Sequence, residues 1–120
     1  MLKKVLVVED EADIRKMMSI FLKLNGYEVL EASDGYEAVE VALERLPDLI
    51  LMDLAMPVLD GVNSTRAMRD HKELAGIPIL GITAYGEFYK DRAREAGCDY
   101  VLDKPIDFAE LDNLIQRHVV

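Results

Sequence analysis

Three short apolar runs constrain this chain more than anything else in it. Val5-Leu6-Val7-Val8, Leu49-Ile50-Leu51-Met52 and Ile77-Pro78-Ile79-Leu80 are continuous rather than alternating. A strand with one wet face alternates apolar and polar side chains, so a continuous run belongs to a strand covered on both faces, as in a parallel sheet between two helix layers. The runs are only a few residues long, far short of a membrane span.

The stretches between them carry helical period. Ile14, Met17, Met18, Phe21 and Leu22 form one apolar stripe, and Asn25-Gly26 is its stop. Glu28 to Ala32 reads as a shorter strand. Asp34 and Glu37 then form a capping box for a helix that buries Ala38, Val39, Ala42, Leu43 and Leu46 and ends at Pro47. A third helix is expected from about Val62 to His71 and a fourth from about Glu87 to Ala96, ahead of Gly97. The fourth has a thin apolar stripe, which predicts loose packing and freedom to move. After a strand at Tyr100 to Leu102, Asp107 and Glu110 cap a last helix burying Phe108, Leu111 and Ile115.

Five strands alternating with five helices fill the 120 residues, so the expectation is one domain over 1–120 with no room for a second. Right-handed crossovers reduce the topologies to a few, of which a doubly wound five-stranded parallel sheet of order 2-1-3-4-5, flavodoxin-like, is the commonest for five such units. Its first and third strands are neighbours. Their carboxyl ends flank the crevice where open α/β sheets bind ligands.

Composition closes off several function classes. The net charge is −9 and no Lys/Arg run exceeds Lys3-Lys4, which argues against direct nucleic-acid binding. Cys98 is the one cysteine, so no disulfide framework exists. Met1-Leu2-Lys3-Lys4 leads straight into a strand rather than a signal peptide, and the expected setting is the cytoplasm, with no membrane contact.

The residues at the crevice are the informative ones. Glu9, Asp10 and Glu11 follow the first strand and Asp53 follows the third. Two carboxylates about 4 Å apart repel by roughly 4 kcal/mol at an effective dielectric near 20, so the cluster must be neutralised. Protonation is one answer. Mg²⁺ is another, because it favours one or two carboxylates with waters and a phosphate oxygen. A third reading makes Asp10 or Glu11 a cap of the first helix and nothing more. Thr83 closes the fourth strand and Lys104-Pro105 follows the fifth, so a hydroxyl and an ammonium meet the acids at one sheet edge. Together they describe a place for a phosphoryl group on Asp53.

The ordered set Glu9-Asp10, Asp53 with Met56-Pro57 and Asp60-Gly61, Thr83-Ala84 and Lys104-Pro105 strongly resembles the receiver domain of bacterial response regulators, with its CheY-like fold. The resemblance spans essentially the whole chain. It implies that Asp53 is the phosphoacceptor, taking a phosphoryl group from a sensor histidine kinase, a histidine phosphotransfer protein or a small phosphodonor. It further implies Mg²⁺ held by Asp10 and Asp53 directly, by Glu9 through water and by the backbone carbonyl of Ala55. Lys104 would pair with the phosphoryl oxygens, Thr83 would move to bond one of them, and the peptide before Pro105 would be cis. The receiver would catalyse its own phosphorylation without being a conventional turnover enzyme, and would signal to a downstream protein through the face of its fourth helix, fifth strand and fifth helix.

Rival readings meet specific residues. A flavin-binding relative would hold a phosphate where Glu9-Asp10-Glu11 stand, and a phosphatase of the haloacid-dehalogenase type would need an acid at Ala55. A phosphorylation-independent interaction module remains the alternative. Two departures from the family pattern carry expectations. In receivers the residues two beyond the phosphoacceptor and two beyond the Thr line the path of attacking water; these are Ala55 and Tyr85 here, neither suited to orient it, so the resemblance implies a long-lived phosphoryl group. Position 101, where receivers commonly place a switching aromatic, is Val; the aromatic is Tyr100, which should point to the opposite side of the sheet.

Overall fold

The computed structural model describes residues 2–119; Met1 and Val120, the ends of the expected 1–120 domain, lie outside the described residues. The chain runs β1 (Lys4–Val8), α1 (Ala12–Leu24), β2 (Glu28–Ala32), α2 (Gly35–Arg45), β3 (Leu49–Asp53), α3 (Gly61–Arg69), a 3-10 turn (Lys72–Leu74), β4 (Ile79–Thr83), α4 (Gly86–Ala96), β5 (Tyr100–Asp103) and α5 (Phe108–His118). All strand pairs are parallel and the sheet order is β2-β1-β3-β4-β5. This is the doubly wound α/β architecture that the apolar runs predict.

Two cores explain those runs. Val5, Val7, Leu49, Leu51, Leu80 and Ile82 pack on one face against Met18 and Leu22 of α1 and Leu111, Leu114 and Ile115 of α5. Leu6, Val8, Ile50 and Met52 point the other way, toward Ala38 and Ala42 of α2, Val62 and Met68 of α3, and Ala93 and Ala96 of α4. Side chains alternate along each strand, but both faces are dry, so the sequence does not alternate.

Several local expectations are refined. Asp34 accepts from Glu37 N at 2.8 Å, yet the Glu37 carboxylate reaches Ser33 N at 2.7 Å rather than the backbone of Asp34. Leu46 is 51% exposed, because it ends α2 in the left-handed region (φ 45°) and its side chain turns out. Met17, at the margin of the α1 stripe, is half exposed. The third helix stops at Arg69, short of His71. Its guanidinium bonds the carbonyls of Leu74, Ile77 and Gly97 at 2.8–3.1 Å, drawing the chain into the 3-10 turn. Ile77-Pro78 forms the approach to β4, the Pro78 carbonyl accepting from Ile50 N at 2.9 Å. Asp107 caps α5 through Ala109 N and Glu110 N.

Candidate functional site

Adjacent strands bring the acids together. Val8 pairs with Met52 across β1 and β3, so the next residues, Glu9 just past β1 and Asp53 at the end of β3, stand side by side. Carboxylate oxygens of Glu9, Asp10 and Asp53 lie within 4.8 Å of one another. Glu9 and Asp53 are 3% and 4% exposed, whereas Asp10 is open to solvent. Glu11 opens α1 without a side-chain cap bond, and the Glu9 carboxylate accepts from Glu11 N at 3.1 Å. The helix-cap reading of Asp10 and Glu11 therefore finds no bond to support it.

The counter-charge is Lys104. Its Nζ stands 3.6 Å from Glu9 Oε1 and 3.7 Å from Asp53 Oδ2. One ammonium does not balance three carboxylates. Burial pushes the Glu9 carboxyl up to about 7, partly countered by the Glu11 N–H, and the neighbouring Asp53 charge pushes it further in the same direction. Burial also raises Asp53, while Lys104 and the Ala55 N–H pull it down. Both carboxyls are thus raised by burial, so the pair holds a proton more readily than free carboxylates do. The chemistry of this donor set, all oxygen, anionic, two members buried and one facing water, fits a hard divalent cation that keeps part of its hydration.

Thr83 and Lys104 arrive from the neighbouring strands. Asp53 pairs with Ile82, so Thr83 is one residue beyond, and it is fully buried. Its Oγ1 accepts from Tyr85 N at 3.0 Å, and its carbonyl accepts from Lys104 N at 2.8 Å. The Lys104–Pro105 peptide is cis, as the resemblance implies. Ala55 sits at the exposed rim, and its N–H donates to Asp53 Oδ1 at 3.1 Å. That backbone donor carries no side-chain signature, so it is not visible in the sequence, where Ala55 stands out for its carbonyl and for its place beside the attacking water. Gly61, first residue of α3, closes the floor: a Cβ there would collide with the Asp53 carbonyl oxygen and approach Leu54 Cα to 2.7 Å. The sequence marks the Asp60-Gly61 pair without showing why position 61 is glycine. The reason is this close approach of backbone to backbone.

Residues 5–116 match the family model of the response regulator receiver domain. The chain belongs to this family. It is 33% identical over 120 residues to the polar-differentiation response regulator DivK of Brucella ovis, covering 99% of this chain and 98% of that protein. The structure of the Vibrio cholerae chemotaxis protein CheY4 superposes with a TM-score of 0.92 at 34% identity, covering 98% of this chain and 99% of the other. The receiver domain of a Pseudomonas aeruginosa PAO1 sensor histidine kinase, solved with a magnesium ion coordinated in its active-site cleft, gives 0.93 at 33% identity, covering 99% and 98%. The chain is thus a phosphoacceptor domain of two-component signalling, a family that works with histidine kinases or phosphotransfer proteins. The phosphorylation-independent alternative is not favoured. No helix among the described residues is long and apolar enough to cross a membrane.

Proposed function

We propose that Asp53 accepts the phosphoryl group, with Glu9, Asp10, Asp53 and the Ala55 carbonyl holding Mg²⁺ and with Lys104 and Thr83 receiving the phosphoryl oxygens. The observation that carries this reading is the buried Asp53 carboxylate, fixed by the Ala55 N–H on one oxygen and faced by the Lys104 ammonium on the other. Bound Mg²⁺ would supply charge neutralisation for the incoming phosphoryl oxygens and for the acids themselves. An Asp53 oxygen attacks phosphorus while the bond from phosphorus to the donor's histidine nitrogen breaks, and the imidazole leaves with that electron pair. Such a transfer asks the protein for positioning and electrostatics rather than for covalent help.

Lys104 contributes a cation already within 4 Å of the nucleophile. Thr83 accepts from Tyr85 N, which leaves its own hydroxyl proton to donate to a phosphoryl oxygen. Displacement of that hydroxyl toward the phosphoryl group pulls on the backbone that begins α4. The segment 83–96 is therefore the route by which the modified site reaches the protein surface, toward a downstream protein target. The setting we assign is the cytoplasm, where the phosphodonors act, and the 1–120 chain acts as one receiver unit.

Intact-mass measurement tests the reading. With acetyl phosphate and Mg²⁺ the protein should gain about 80 Da, the mass of one phosphoryl group, and lose the adduct in EDTA and in Asp53→Ala. An adduct that persists in Asp53→Ala, or forms equally in EDTA, contradicts it.

A further inference from the structure

Away from the acid pocket, α3 and α4 border a groove of about 280 Å³ lined by Asp60, Val62, Asn63, Arg66, Tyr89 and Arg92. Arg66 and Arg92 have no carboxylate partner among the described residues, where the ion pairs involve Arg15, Arg45, Arg69 and Lys104. In a chain of net charge −9, two unpaired guanidiniums on one groove are a local inversion of the surface.

Both guanidiniums are held in place by uncharged groups. Arg66 Nη1 donates to Asn63 Oδ1 at 2.8 Å, and the Arg92 guanidinium lies 4.5 Å above the Phe88 ring, which packs edge-on against Tyr89. The one acid in the lining, Asp60, is committed to the start of α3, accepting from Asn63 N and Asn63 Nδ2 at 2.8 and 3.0 Å. The groove is cationic and ordered before any ligand arrives, which lowers the entropy cost of binding. Tyr85, at the N-cap of α4, and Phe88, in its first turn, are 64% and 58% exposed. Arginine beside exposed aromatic rings is the composition of protein-interface hot spots.

We infer that the α3–α4 groove docks an acidic segment of a partner protein, its carboxylates on Arg66 and Arg92 and its apolar side chains on Phe88 and Tyr85. Planar guanidinium forks match carboxylates bidentately. The chain as a whole carries a net charge of −9, so an acidic segment is favoured where guanidiniums cluster, and the arginine pair sets its register. A nucleotide fits the groove less well. The described lining holds no glycine-rich phosphate cradle, and Arg92 already covers the Phe88 face that a base would stack on.

The proposal stands apart from Asp53 chemistry, so the test uses unphosphorylated, metal-free protein, and its failure leaves the phosphoacceptor reading untouched. Amide NMR titration with a hexaglutamate peptide should shift Asn63, Arg66, Tyr89 and Arg92 in a saturable, salt-sensitive way. Arg66→Gln combined with Arg92→Gln, both at exposed positions, should weaken this about fivefold or more. Shifts elsewhere, or shifts that the double variant leaves unchanged, overturn the proposal. So does a saturable response to AMP with none to the peptide, which would make the groove a small-anion site.

Discussion

The acid pocket and the start of α4 are built to opposite standards. Around Asp53 almost everything is fixed: β3 is buried along its whole length, Gly61 rests on the Asp53 and Leu54 backbone, and the Ala55 N–H holds the carboxylate. A few residues away α4 buries only Ala93 and Ala96, begins at Tyr85 with no side-chain cap, and leaves Tyr85 and Phe88 in water. Phosphoryl transfer needs atoms held in place, whereas a signal needs an element whose position costs little to change. Thr83 joins the two regions, buried in the first and bonded through Tyr85 N to the second. Dense packing thus gives way to sparse packing at this residue.

The same glycine-to-alanine change made in both regions tests that division. Gly61→Ala drives a methyl into main-chain atoms that cannot yield, and should cost about 2–3 kcal/mol in urea unfolding. A cost near zero would mean that the pocket floor is soft.

A smaller effect follows from pH. Glu9 is raised to about 7, well above an ordinary carboxylate. A carboxyl whose folded value is raised binds its proton more tightly in the fold, so the metal-free protein loses stability as pH rises from about 5 to about 8, by roughly 1–2 kcal/mol. Glu9→Gln should flatten that slope, and Mg²⁺ should recover the loss at the high-pH end. Thermal melts across this range measure it; a wild-type slope equal to that of Glu9→Gln would remove Glu9 as the cause.

The smallest effect is Gly86→Ala. Here the added methyl would meet the carboxylate of Asp103, whose Cγ lies 3.2 Å from its position, and an exposed side chain can swing away. Stability should change by less than about 0.5–1 kcal/mol, since helix propensity favours Ala. A loss as large as that of Gly61→Ala would show α4 to be as tightly seated as the pocket.

Much of this was legible in the sequence because burial on two faces leaves an uninterrupted apolar run, and because the acids, Thr83 and Lys104 all lie at or just past strand ends. Val101 and Tyr100 were readable too: Val101 is buried with Ala93 and Ala96, while Tyr100 pairs with Leu80 on the opposite face and is exposed at 37%. What escaped depends on backbone and on shape. The Ala55 N–H, the contact beneath Gly61 and the left-handed turn at Leu46 have no side-chain pattern. The Arg66 and Arg92 groove arises only when α3 and α4 are laid together, and the end of α3 follows from carbonyls that Arg69 collects across distant segments.

Phosphorylation at the rigid Asp53 pocket should move the loosely held start of α4. Amide and side-chain NMR with and without Mg²⁺ and beryllofluoride, a phosphoryl mimic, tests it most directly. Large shifts are expected across residues 83–96, small ones in β1 and β3 beyond the pocket itself, and little rotamer change at Tyr100. A large reorientation of the Tyr100 ring, or shifts spread evenly through β1 and β3 while α4 stays still, would contradict it.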